Sequence, residues 1–233
     1  KDYNLWVRDN ASGAESQLTT DGVKDFGYAT DNAGWAHSDR AILLWSPDSK
    51  KIATNQQDER HVGEMYLVNT VAGHPTLRAW KYPLPGDENV TMIERVIIEV
   101  ETPKVIRLKM GQDQHRSTLC DDVKCGVDWS DVQWTPDSTQ VGFVSTSRNH
   151  QQENLRMADA ATGEIREVLE EKAETFLESG NGRVNWRILP WEWFRVPLWW
   201  TIRLAIWLKA RAEAQQEEKP LPFAQLQVQL PSP

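Results

Sequence analysis

Along most of the chain, apolar residues come in short runs that alternate with polar ones, the two-residue period of a half-buried β-strand. The runs Asn4–Arg8, Ala41–Trp45, Lys51–Gln56, Leu77–Lys81, Thr91–Glu101, Val132–Trp134, Gln140–Thr146, Leu155–Asp159 and Ile165–Leu169 predict strands. Glu64–Asn69, with Met65 and Leu67 set against Tyr66 and Val68, reads as a strand buried on both faces. In Lys104–Met110 the residues Ile106, Leu108 and Met110 alternate with Arg107 and Lys109, the pattern of one arm of a half-buried hairpin. Residues 21–40 carry Gly, Asp and Asn without a sustained period and read as a long loop. The acidic run Glu170–Glu178 fits either a helix or a solvated β arm.

The pattern repeats. Leu44-Trp45-Ser46-Pro47-Asp48-Ser49-Lys50-Lys51-Ile52 returns as Gln133-Trp134-Thr135-Pro136-Asp137-Ser138-Thr139-Gln140-Val141. In both copies an apolar arm ends at Trp, a Ser/Thr-Pro-Asp-Ser turn follows, and a β-branched arm begins. Proline presets φ for the first central position of a type I turn, while Asp and Ser bond nearby backbone groups, so the motif encodes a hairpin. A second pair, Asn4–Gly13 and Asn154–Gly163, shares an Asn-Leu start and an Asp-x-x-[Ser/Thr]-Gly turn. Hairpins that recur along a chain point to a propeller or array. The predicted fold is all-β: a partial β-propeller of about three to four blades of antiparallel strands, since a blade takes roughly 40–50 residues. Such an open arc exposes the edges of its terminal blades, which invites aggregation.

The pattern breaks after Pro190, so residues 1–190 form the predicted propeller and residues 191–233 an atypical, helical tail. All 13 glycines precede Pro190, and Asp159 and Asn185 are the last Asp and Asn. Beyond it come Trp191–Leu208, rich in Trp and Leu, then an Ala/Glu/Gln stretch and a Pro/Gln-rich end. Three readings stay open. A membrane span needs ~20 mostly apolar residues, and Arg195, Pro197 and Arg203 interrupt this one. An interfacial helix over residues 191–211 would place Arg195, Arg203, Lys209 and Arg211 at lipid head groups. A shifted reading frame or misassembled gene end would change the composition abruptly at one point.

Composition narrows the partners. The chain has 39% hydrophobic residues, a net charge of -8 and a pI near 5.2, with no basic stripe, which argues against a nucleic-acid partner. Cys120 and Cys125 share a polar loop in which only His115 is a nearby third ligand, too few for zinc. A local disulfide and a pair of free thiols both remain open. No cofactor and no metal are expected. The start Lys1-Asp2-Tyr3 runs directly into a predicted strand, with no visible signal peptide.

The block Ile42–Ala53, followed by Asp58-Glu59-Arg60, Gly63-Glu64-Met65-Tyr66-Leu67 and Trp80-Lys81-Tyr82-Pro83-Leu84-Pro85-Gly86-Asp87, resembles the N-terminal β-propeller of dipeptidyl peptidase IV, in the form found in bacterial members of the prolyl oligopeptidase class. The likeness covers residues 1–190 and rests on the order of three motifs: the Trp-Ser-Pro turn, Asp-Glu-Arg, and Tyr-Pro-x-x-Gly. It implies a secreted or periplasmic serine exopeptidase in which the propeller gates access and binds peptide N-termini beside an α/β-hydrolase domain, with oligomers possible in the parent protein. No catalytic residue can be assigned here: a nucleophile elbow needs Gly-x-Ser-x-Gly, and no glycine of this chain has serine two residues on.

The resemblance also implies paired glutamates, which hold the substrate ammonium, just before the Trp-Ser-Pro turn. Gly34-Trp35-Ala36-His37-Ser38-Asp39-Arg40 stands there instead, without the pair. Asp39 could offer one carboxylate and Trp35 an apolar or cation–π wall, making them the candidate substrate-binding residues. The alternative is a solvated loop in which Asp39 pairs with Arg40 and His37 is inert. A reading of a different class is a non-enzymatic propeller-repeat interaction module, tethered to a membrane through its tail.

Overall fold

The computed structural model describes residues 1–30, 41–70, 72–114, 132–177, 186 and 188. The described residues hold antiparallel sheets. β1 (Trp6–Arg8) and β2 (Glu15–Gln17) form a hairpin. β3 (Phe26–Tyr28), β4 (Leu43–Trp45), β5 (Lys51–Asp58), β8 (Met92–Glu99), β9 (Lys104–Arg107) and β10 (Asp113–Gln114) share one sheet, and β6 (Glu64–Asn69) pairs with β7 (Thr76–Lys81) in a side hairpin between β5 and β8. A third sheet runs in the order β11 (Val132–Trp134), β12 (Gln140–Thr146), β13 (Gln152–Asp159), β14 (Ile165–Lys172). The expected all-β, partial-propeller architecture is what the strands build.

The six-stranded sheet is a four-stranded blade with both outer strands broken. β3 and β4 lie end to end along β5, facing Gln56–Asp58 and Ile52–Thr54 respectively. On the far side, β9 and β10 lie end to end along β8. β5 and β8 are therefore central, and their β-branched residues suit a strand covered on both faces. Ile52, Val96 and Ile98 pack with Leu5, Leu18 and Tyr28 on the β1–β2 side. Ala53, Ile97 and Ile106 pack with Val132, Trp134, Val141, Phe143 and Ala158 of the third sheet. Ile97 and Ile98 are 1% and 0% exposed, so each contributes roughly 1.5–3 kcal/mol of apolar burial.

The sequence repeat becomes a spatial contact. In the two Trp-x-Pro-Asp turns the first hydroxyl bonds the Asp carboxylate: Ser46 Oγ reaches Asp48 at 2.5 Å and Thr135 Oγ1 reaches Asp137 at 2.6 Å. Each turn ends on a residue in the left-handed region, Ser49 (φ 59°) and Ser138 (φ 60°). The first copy then docks on the second. Asp48 N donates to Ser138 Oγ at 3.0 Å, Lys51 Nζ to Ser138 O at 3.3 Å, and Trp134 Nε1 to Leu44 O at 3.1 Å. A deeper contact sits on the same seam: Arg95 Nε donates to Asp113 Oδ2 at 3.0 Å, with side chains 6% and 9% exposed. Ser145 Oγ donates to the same oxygen at 2.6 Å, and the Arg95 guanidinium lies 4.8 Å from the Phe143 ring.

Several expectations are corrected. Residues 21–40 are not one loop, because Phe26–Tyr28 pairs with β5 as a strand. Glu64–Asn69 is not buried on both faces: Tyr66, Leu67 and Val68 are all more than half exposed, since no sheet among the described residues covers the hairpin. The alternation over Lys104–Met110 holds beyond the end of β9 at Arg107: Ile106 and Leu108 are buried and Met110 packs against the same core, Arg107 and Lys109 are exposed, and Leu108 N still donates to Arg95 O at 3.0 Å. The ambiguous acidic run resolves as strand through Lys172. Cys120, Cys125 and the tail from Trp191 lie outside the described residues.

Candidate functional site

Trp35 and Asp39, the residues expected to meet substrate, also lie outside the described residues. Their flanks are placed. Ala29 N donates to Asn55 O at 2.9 Å and Ile42 N to Ala29 O at 3.0 Å, so the chain leaves the edge of β5 and rejoins it at one point.

Beside that point lies a polar cluster that sequence reading missed. Arg107, from β9, donates through Nη2 to Asp21 Oδ2 at 2.7 Å, Tyr28 Oη at 3.0 Å and Gln56 Oε1 at 2.8 Å, and through Nη1 to Glu94 Oε2 at 2.5 Å. Tyr28 Oη donates in turn to Asp21 Oδ1 at 2.7 Å. A cleft of about 180 Å³ opens here, with Glu94, Arg107 and Gln112 on its polar wall and Leu108 and Met110 on its apolar one. Gln112 Nε2 bridges Asp58 and Glu94 at 3.1 and 3.3 Å. The only local signal was Arg107 alternating with Ile106 and Leu108, and its partners are distant in the chain.

The Asp58-Glu59-Arg60 motif connects to the cleft through Gln112, whose Nε2 donates to Asp58 Oδ2. Arg60 grips Asp58 through Nε (2.9 Å) and Nη2 (2.6 Å), and its guanidinium lies 4.1 Å from the Phe26 ring. That fork, joined by the Gln112 bond, outweighs burial and holds the Asp58 carboxyl down at about 2. Burial pushes Asp21 up, but the bonds from Tyr28 and Arg107 outweigh it and keep it below the ordinary carboxylate range. Burial, reinforced by the Asp21 bond, raises the Tyr28 phenol. Glu59 is buried at 4% exposure and meets Thr91 Oγ1 at 3.5 Å, a scaffold position. The cluster is cross-braced, with the guanidinium groups of Arg107 and Arg60 engaged by Asp21, Glu94 and Asp58, and it offers no activated nucleophile. Among the described residues no group of three or more His, Cys, Asp or Glu is arranged to hold a metal, and no helix is long and apolar enough to cross a membrane.

Four-stranded antiparallel sheets, docked face to face through homologous turns, define a domain of the β-propeller class. Within that class the chain is specific. A model of the family described as the dipeptidyl peptidase IV (DPP IV) N-terminal region matches residues 1–200, and the chain belongs to that family. Among solved structures it is similar to a protein described as a dipeptidyl aminopeptidase IV from Bacteroides ovatus, at 20% identity and a TM-score of 0.52. It is also similar to dipeptidyl peptidase 4 of Porphyromonas gingivalis, at 15% identity and a TM-score of 0.57. Each match covers 76% of this chain, which spans only 25% and 24% of those two proteins.

Proposed function

We propose that this chain is a non-catalytic propeller portion of a dipeptidyl-peptidase-IV-like serine exopeptidase, whose full-length form gates and binds peptide N-termini in a periplasmic or extracellular setting. The observation that carries the reading is the family match over residues 1–200, on a chain in which turn, Asp-Glu-Arg and Tyr-Pro-x-x-Gly follow in family order. A hydrolase domain on the same polypeptide would supply the nucleophile that this chain lacks. Trp35 and Asp39 would supply an apolar wall and a single carboxylate for the peptide ammonium. One carboxylate in place of two weakens selection for a free N-terminus, so strict dipeptide release is not part of the proposal.

Sequencing the encoding DNA past Pro190 in every frame tests the reading. A frame that continues through further blades into a Gly-x-Ser-x-Gly hydrolase is expected; no such frame overturns it. Substrate contact is tested on the full-length product by comparing free and N-acetylated peptides against Asp39→Asn. A preference for the free amine that survives the substitution removes Asp39 from the site.

A further inference from the structure

A third copy of the repeated turn is present, and it has been put to a different use. In Ser147-Arg148-Asn149-His150, Ser147 N donates to Gln152 O at 2.9 Å and His150 N donates to Ser147 O at 2.9 Å. Ser147 Oγ meets Asn149 Oδ1 at 2.7 Å, and His150 takes the left-handed conformation at φ 53°. These are the bonds and the backbone of Ser46–Ser49 and Thr135–Ser138, position by position. Asn149 and His150 stand where the other copies have Asp and Ser and keep the same bonds and backbone; the change with a new consequence is at the second position, where Pro47 and Pro136 are replaced by Arg148.

Proline there only presets φ; arginine gives up that preset and gains reach. Arg148 extends from the β12–β13 turn to the other sheet's Tyr-Pro-x-x-Gly turn, donating through Nη1 to Asp87 O at 2.6 Å and through Nη2 to Leu84 O at 3.4 Å. That turn closes on itself through Leu84 N to Asp87 Oδ2 at 2.7 Å and Asp87 N to Leu84 O at 3.1 Å. Pro83 and Pro85 have no N–H to contribute, and Gly86 sits at φ 94°, so few bonds hold the segment. The same segment is the return path of the β6–β7 hairpin, whose base is fastened by Tyr82 N to Gly63 O at 2.9 Å and Lys81 Nζ to Val62 O at 3.0 Å.

We propose that Arg148 is a positioning residue: a clamp across the seam that orders the Tyr82–Asp87 turn and thereby fixes the base of the exposed β6–β7 hairpin. Because its acceptors are neutral carbonyls of the backbone, the clamp does not depend on any side chain of the turn it holds.

The test is amide hydrogen exchange on the full chain, read at Tyr82, Leu84 and Asp87, in wild type, Arg148→Ala, Arg148→Lys and Arg148→Pro. Arg148→Pro restores the residue of the other two copies, so it removes the clamp while keeping the β12–β13 turn intact. Exchange at Leu84 and Asp87 is expected to rise roughly tenfold or more in the Ala and Pro variants, with a smaller rise at Tyr82, while amides of β5 and β12 keep their protection. Lys, with one ammonium for two carbonyls, gives an intermediate rise. Unchanged exchange at Leu84 and Asp87 in Arg148→Pro overturns the proposal, and so does an equal loss of protection across β11–β14, which would mark Arg148 as a general stabiliser of its own sheet.

Discussion

The seam between the two large sheets and the β6–β7 hairpin are built from the same residue types and end in opposite environments. β12 (Gln-Val-Gly-Phe-Val-Ser-Thr) and β6 (Glu-Met-Tyr-Leu-Val-Asn) are equally good strand formers, yet Phe143 is 0% exposed and Leu67 is 52%. What differs is the partner. β12 is roofed by β5 and β8 through Ala53 and Ile97, whereas β6 has β7 beside it and no sheet above it among the described residues. Strand propensity therefore sets local conformation, and burial is decided by whether a second sheet arrives.

The sharpest way to break this contrast is truncation on both sides of it. Phe143→Ala should destabilise by about 3–5 kcal/mol, because a ring in a dry interface leaves a cavity, while Leu67→Ala should stay within about 0.5 kcal/mol. Equal shifts in denaturation midpoint would erase the distinction. Next in size is Asp113→Ala, which takes the carboxylate from a buried Arg95 and should cost about 3 kcal/mol. A loss that high salt reproduces in the wild type would mean that the pair is solvated after all.

The two Asp-x-x-[Ser/Thr]-Gly turns sharpen the comparison within one motif. Gly163 and Gly13 share φ 73°, but a Cβ on Gly163 would stand 2.5 Å from Arg107 O, across the seam, whereas one on Gly13 meets nothing closer than 3.6 Å. Gly13→Ala should cost about 1 kcal/mol, the backbone penalty alone, and Gly163→Ala about 2–3 kcal/mol once the clash is added. Matching costs in thermal denaturation would show that the seam can open freely at this turn. The smallest effect concerns acid. Asp58 is held at about 2 in the folded chain against an ordinary 3.8, so its stabilisation is present above pH 3.8 and is lost as pH falls towards 2. Asp58→Asn should flatten that limb of the stability profile; an unchanged limb would remove the Arg60–Asp58 fork from the account.

Local chemistry explains which parts of the fold were legible beforehand. The two Trp-x-Pro-Asp turns could be read because Pro, Asp and Ser each answer a specific backbone demand, and those demands recur. The third copy escaped because Arg148 and His150 replace the two residues that advertise the turn, although Ser147 and Asn149 keep its hydrogen bonds. β3 was hidden for another reason. Phe26-Gly27-Tyr28 is short and glycine-split, and only its pairing with Gln56–Asp58 makes it a strand. The Arg107 cluster joins residues 79 and 86 positions apart, which no local pattern announces. Exposure of Tyr66 and Val68 was misread because alternation reports a strand's two faces and says nothing of what covers them.

Three turns with one hydrogen-bond pattern, two with proline and one with arginine at the second position, also bear on how such chains grow. Strands entering and leaving Ser46–Ser49, Thr135–Ser138 and Ser147–His150 meet the same stereochemistry, so genetic crossover between any two of these turns joins strand to strand without a bad junction. Between Ser46–Ser49 and Thr135–Ser138 the join adds or removes everything from β5 to β11, between Thr135–Ser138 and Ser147–His150 only β12, while the residue at the second position is left free to acquire a new errand.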